Sequence, residues 1–138
     1  MSAAVEELRA LVATAGRVLT ALGLVDYLGH ASARVPGTDH VVVKPKHSPT
    51  VRGMAALGAG RFCHLQGHGI VSVAGDLREA TVGAAMLEQL AEAALTAAAT
   101  GAKLRTITPT EISTLRSQVA GVEGRWAYFC ELAGIEAA

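Results

Sequence analysis

The chain has 138 residues, with 12 basic and 12 acidic side chains, and 51% of its residues are apolar although only 4% are aromatic. This length predicts a single domain, residues 1–138. The zero net charge, without a basic patch, argues against nucleic acid as the main partner. Because much of the apolar content is small alanine, the core should be modest, and we expect a homo-oligomer.

Cysteine usage and hydropathy predict a cytoplasmic protein. Cys63 and Cys130 are too few for a disulfide framework and indicate reduced, buried thiols. A secretory signal is not predicted, because charges interrupt the first apolar residues at Glu6, Glu7 and Arg9. The alanine-rich stretch near residues 80–100 contains Glu88 and Glu92, so we predict no membrane span.

The first half of the chain predicts one helix and two short strands. Apolar spacing favours an amphipathic helix over residues 3–22, capped by Ser2 and ended by Gly23. A loop and a short strand follow over residues 24–35, and Val41–Val43 is predicted to be a buried strand. The stretch up to Gly60 should be mostly irregular, with one helical turn near residues 51–57.

The second half predicts two more strands and three helices. The strand candidates, residues 61–66 and 70–74, flank Gly67-His68-Gly69. Asp76, with Glu79 three residues on, is a capping-box signal for a helix ending near Gly101. Thr108 begins a second such helix, to about Ala120, and residues 124–132 form the last. This order indicates an α/β or α+β fold around a mostly antiparallel central sheet flanked by helices.

Three blocks of the sequence resemble the class II aldolase/adducin family. They are residues 23–37 (GLVDYLGHASARVPG), residues 41–49 (VVVKPKHSP), and the stretch from His68 through the helix ending near Gly101. The resemblance implies that family's layered fold and carbon–carbon lyase chemistry on a divalent metal. The first two blocks are most similar to the aromatic-acid decarboxylase branch.

One feature of the family is missing. The resemblance implies several tens of additional residues between Gly60 and Gly67, with a catalytic acidic residue and a His-x-His pair of metal ligands. This sequence contains no His-x-His. His68 matches the family's remaining metal ligand, and His64 is a second candidate. Residues four apart in a strand lie roughly 13 Å from each other, so a turn would have to bring the two imidazoles to one Zn²⁺, Mn²⁺, Fe²⁺ or Co²⁺ ion.

The predicted substrate site consists of basic and polar side chains. His30, Ser32 and Arg34 alternate, so in an extended chain they share one face and could clamp a carboxylate. A solvated strand edge is the alternative. The resemblance adds Lys44 and Lys46 as ligand contacts and His47 as a proton donor, with His68 and His30 as further catalytic candidates. The expected ligand is a small anionic organic molecule.

Three functions are compatible with these residues. The first is a lyase of the decarboxylase or aldolase type. The second is a metal-free isomerase or cyclase that uses the histidines and Arg34 as acid, base and anion holder. The third is a non-catalytic subunit or binding protein derived from the family, which the missing middle segment favours.

Overall fold

The structure, a computed structural model, describes residues 3–25, 29–38, 40–43, 60–65, 69–101, 103, 105–118 and 121–137. In chain order this part contains α1 (Ala3–Ala21), β1 (Ser32–Arg34), β2 (Val41–Val43), β3 (Phe62–Leu65), β4 (Gly69–Ser72), α2 (Leu77–Ala99), α3 (Pro109–Gln118) and α4 (Val122–Leu132). These mixed helices and small antiparallel sheets confirm an α+β class. The helical turn predicted near residues 51–57 lies outside the described residues.

Helix α1 begins at the predicted residue and ends at Ala21, one residue before the predicted end, while the predicted cap Ser2 lies outside the described residues. Its apolar spacing buries one stripe, which includes Val12, Ala15 and Val18. At its end Gly23 adopts a positive φ of 70°. The amide of Gly23 donates to the Thr20 carbonyl at 3.0 Å, and the Leu24 amide to the Leu19 carbonyl at 2.9 Å. This pair of bonds is a Schellman motif, and glycine enters its left-handed position without steric cost.

The strands form two separate two-stranded sheets among the described residues. β1 pairs antiparallel with β2, and β3 pairs antiparallel with β4. The expected antiparallel pairing is thus observed, whereas one central sheet is not. The physical reason is that each strand pairs with its neighbour in sequence and each pair packs on a different helix, β1–β2 on α1 and β3–β4 on α2.

The prediction of a fully buried second strand is wrong. Val41 is 52% exposed, whereas Val42 packs against the core. Side chains alternate along a strand, and α1 covers only one face of the β1–β2 pair. The opposite face therefore remains open to solvent.

The core lies between α1, α2 and α4, which pack on one another. Helix α2 contributes Leu77, Val82, Ala84 and Ala85, and helix α4 contributes Trp126, Phe129 and Cys130. Two of these four α2 residues are alanine, and the core has few large side chains. No helix among the described residues is both long and apolar enough to cross a membrane.

Capping bonds begin α2 and α3 at the predicted residues. The Glu79 amide donates to Asp76 Oδ1 at 2.8 Å, and the Gly75 amide donates to Glu79 Oε2 at 3.2 Å. At α3 the Thr108 amide donates to Glu111 Oε2 at 2.9 Å. Both boxes satisfy amides that have no partner within the helix.

Two helical segments pack little on the rest of the described residues. From Glu88 to the end of α2 every side chain except that of Ala97 is exposed, and within the described residues α3 has no extensive packing on another element. We give the name distal surface to four exposed apolar side chains, one near the end of α2 and three in or just before α3: Leu95, Ile107, Ile112 and Leu115.

Candidate functional site

Four predicted site residues, Lys44, Lys46, His47 and His68, lie outside the described residues. The structure therefore leaves their roles as predictions. His30, Ser32, Arg34 and His64 are all described, and each has a defined place.

Ser32 and Arg34 lie on the open face of the β1–β2 sheet. They are paired with Val43 and Val41 of β2, and both are exposed. Ala31 and Ala33 point the other way, into the core. The predicted alternation is thus correct for these two side chains. His30 is half-buried, two residues before Ser32.

His64 is an exposed strand residue. It lies on β3 opposite Ile70 and on the same face as Phe62 and Ser72. Within the described ranges, no three His, Cys, Asp or Glu side chains are grouped closely enough to hold a metal ion. Of the two predicted ligands only His64 is described, so the divalent metal stays a prediction.

A groove that the sequence did not predict lies between β3, α2 and α4. Its volume is about 250 Å³. We call it the Arg125 groove. Its apolar walls are Phe62, Met86, Leu87, Leu90 and Val122. Gly83 allows β3 and α2 to approach, since a Cβ at this position would lie 3.0 Å from the Phe62 ring.

The groove carries three charged side chains. Arg61 Nη2 donates to Glu79 Oε1 at 2.6 Å, and the other oxygen of Glu79 accepts the Gly75 amide. The half-buried Arg125 guanidinium has no hydrogen bond or ion pair with any described residue. The groove therefore has one uncompensated positive charge. Sequence reasoning missed this group because Arg61, Glu79 and Arg125 are far apart in the chain and Glu79 matched only a helix cap.

A second cavity of about 510 Å³ lies beside the first half of α1. Its charged lining residues are Glu7, Asp76 and Arg78. Two carboxylates against one guanidinium give this cavity a negative balance, and Asp76 is already bound to the first turn of α2. It is therefore less suited to an anion than the Arg125 groove.

Comparisons with known proteins found no relative of this chain. No family model, no curated protein and no solved structure matches it. Only the chemistry of the side chains and the sequence resemblance therefore indicate a function.

Proposed function

We propose that the protein is a lyase-like member of the class II aldolase/adducin family, of the decarboxylase or aldolase type, acting on a small carboxylate-bearing substrate. The observation that supports this proposal is the shared exposed face of Ser32 and Arg34. A guanidinium can hold a carboxylate through two parallel hydrogen bonds, and a neighbouring hydroxyl can donate a third. This pair can therefore orient a small organic acid.

The proposed chemistry requires a cation and a proton donor. Breaking a carbon–carbon bond leaves an electron pair on carbon, which a nearby positive charge stabilises and a proton then quenches. Arg34 supplies the charge, and His30 is the described imidazole nearest to it along the chain. His47 and His68 remain predicted contributors. We assign no step to a metal ion, because only His64 of the predicted ligands is described.

Turnover of small acids tests this proposal. Purified protein is incubated with hydroxybenzoates and with hydroxy and oxo acids, and released CO₂ or carbonyl product is measured. We expect turnover that falls about tenfold or more in Arg34→Gln, because charge-assisted hydrogen bonds to the substrate are lost. Arg9→Gln is the matched control, since Arg9 is an exposed residue of α1 paired with Glu6 at 3.5 Å. Equal turnover in both variants would contradict the role of Arg34.

A non-catalytic subunit is the second candidate function. The distal surface favours it, because contact between chains would remove these exposed apolar side chains from water. This candidate predicts a stable assembly of chains without turnover of any acid in the panel. Turnover that depends on Arg34 would reject it.

A further inference from the structure

We propose that the Arg125 groove is a binding site for a small organic acid with an apolar, ring-sized body. This site is separate from the Ser32–Arg34 face and does not depend on the proposed lyase function. Three properties of the groove support this proposal: its charge, the apolar character of its walls and its size.

The charge of the groove selects an anion. Glu79 is paired with Arg61, so the charges of these two side chains offset each other and the charge of Arg125 remains. Arg125 presents several N–H donors in one plane, and within the described part of the chain none of them is bound to an acceptor. A carboxylate accepts two such donors side by side, which is the geometry that arginine binds best. An amide or alcohol lacks the negative charge and should bind less tightly.

The walls of the groove select an apolar body. Met86 and Leu87 lie on one turn of α2, Phe62 faces them from β3, and Val122 begins α4. A ligand that covers these apolar side chains removes their surface from water, which favours binding. The flat Phe62 ring and the flexible Met86 side chain suit an aromatic ring in particular.

The size of the groove suits a small ligand. A volume of about 250 Å³ is below the range of roughly 300–1,000 Å³ that is usual for pockets of drug-sized molecules. This volume accommodates one ring with a carboxylate. Benzoate and phenylacetate are therefore suitable probes, and benzamide is a neutral counterpart of nearly the same shape.

Titrations followed by amide NMR test the site. We expect benzoate to shift the amides of Gly83, Leu87 and Val122, and benzamide to shift them less at equal concentration. Arg125→Gln should weaken benzoate binding about tenfold or more, because the charge-assisted hydrogen bonds are lost. Arg9→Gln should leave it unchanged, and Arg34→Gln should leave the benzoate-induced shifts of the groove amides unchanged. Because Leu90 is 63% exposed, Leu90→Glu should fold, and its carboxylate should compete with benzoate for Arg125.

The outcomes separate this site from the lyase proposal. Benzoate binding that is lost in Arg125→Gln and kept in Arg34→Gln supports the groove, whether or not any acid is turned over. Binding that is lost only in Arg34→Gln assigns the acid to the Ser32–Arg34 face and overturns the proposed groove site. The same conclusion follows if neither Arg125→Gln nor Leu90→Glu alters the shifts, or if no groove amide shifts at millimolar benzoate.

Discussion

The chemistry of Cys130 is determined by its burial. Its side chain is fully buried in the core beside Phe129. Burial raises the pKa of the Cys130 thiol, and the positive charges of Arg78 and Arg17 oppose part of that rise. Because the thiolate is the reactive form, a protonated and inaccessible thiol is inert. Both cysteines are free, and Cys130 is buried as predicted, whereas Cys63 is only half-buried.

Alkylation should therefore distinguish the two cysteines. Native protein treated with iodoacetamide near neutral pH should be modified at Cys63, with Cys130 reacting at least about tenfold more slowly because it must first be exposed by unfolding. Peptide mass spectrometry after timed quenching measures both rates. Cys63→Ser should leave almost no labelling until urea is added. Rapid labelling of Cys130 in the native protein would contradict its burial between α4 and the rest of the core.

Local sequence signals predicted the helices well. Gly23 and Gly101 end α1 and α2 with positive φ, and Asp76 and Thr108 cap α2 and α3. These signals act within a few residues, so the sequence carries them directly. The separate strand pairs, the exposure of Val41 and the Arg125 groove depend on which helix covers which face. Contacts of that kind join residues far apart in the chain and leave no local pattern.

The stability of helix α3 depends on the hydrogen bonds of its first turn more than that of the other helices does, because α3 packs little on the described core. Glu111 accepts hydrogen bonds from the Thr108 amide and hydroxyl and from Arg105, all at 2.9 Å. The bond from the Thr108 amide, then that from Arg105, lowers the pKa of Glu111. A lowered folded-state pKa stabilises the helix above the unfolded-state pKa, and this contribution is lost as the pH falls through the folded value.

The stability of the first turn of α3 should therefore decrease in acid. In the native protein, amide exchange protection of α3 should decrease as the pH falls below about 4.3, the ordinary pKa of glutamate. Exchange is compared at each pH after correction for its intrinsic rate. Glu111→Gln should be less protected at neutral pH and should lose this pH dependence, whereas Glu92→Gln on α2 should keep the native profile. An unchanged acid response in Glu111→Gln would reject the cap as its cause.

The described residues divide into a packed body and a part with little packing, which we call the extension. The body is α1, α2 up to about Leu87, and α4, with one strand pair on α1 and one on α2. The extension is the last three turns of α2 together with α3. A helix as short as either piece is marginal in water unless another surface packs on it.

A second copy of this chain is the partner that the charges of the extension favour. Residues 88–102 carry two acidic and no basic side chains, Glu88 and Glu92. Residues 103–118 carry three basic side chains and one acidic, with the basic ones at Lys103, Arg105 and Arg116. In a two-fold dimer the acidic α2 of one copy can lie against the basic α3 segment of the other, so each contact occurs twice.

Light scattering coupled to size-exclusion chromatography should therefore detect a homodimer that dissociates on dilution. Leu95→Glu and Leu115→Glu should shift it toward monomer, because each places a charge in the buried part of the interface. Leu132→Glu is the matched control, since Leu132 is 57% exposed but lies on α4, outside the distal surface.

Arg116→Glu should also weaken the dimer, and the native dimer should weaken as salt rises, because salt screens opposite charges. A native protein that is monomeric at every concentration, or a dimer that Leu132→Glu disrupts as strongly as Leu95→Glu, would mean that the distal surface is not the interface.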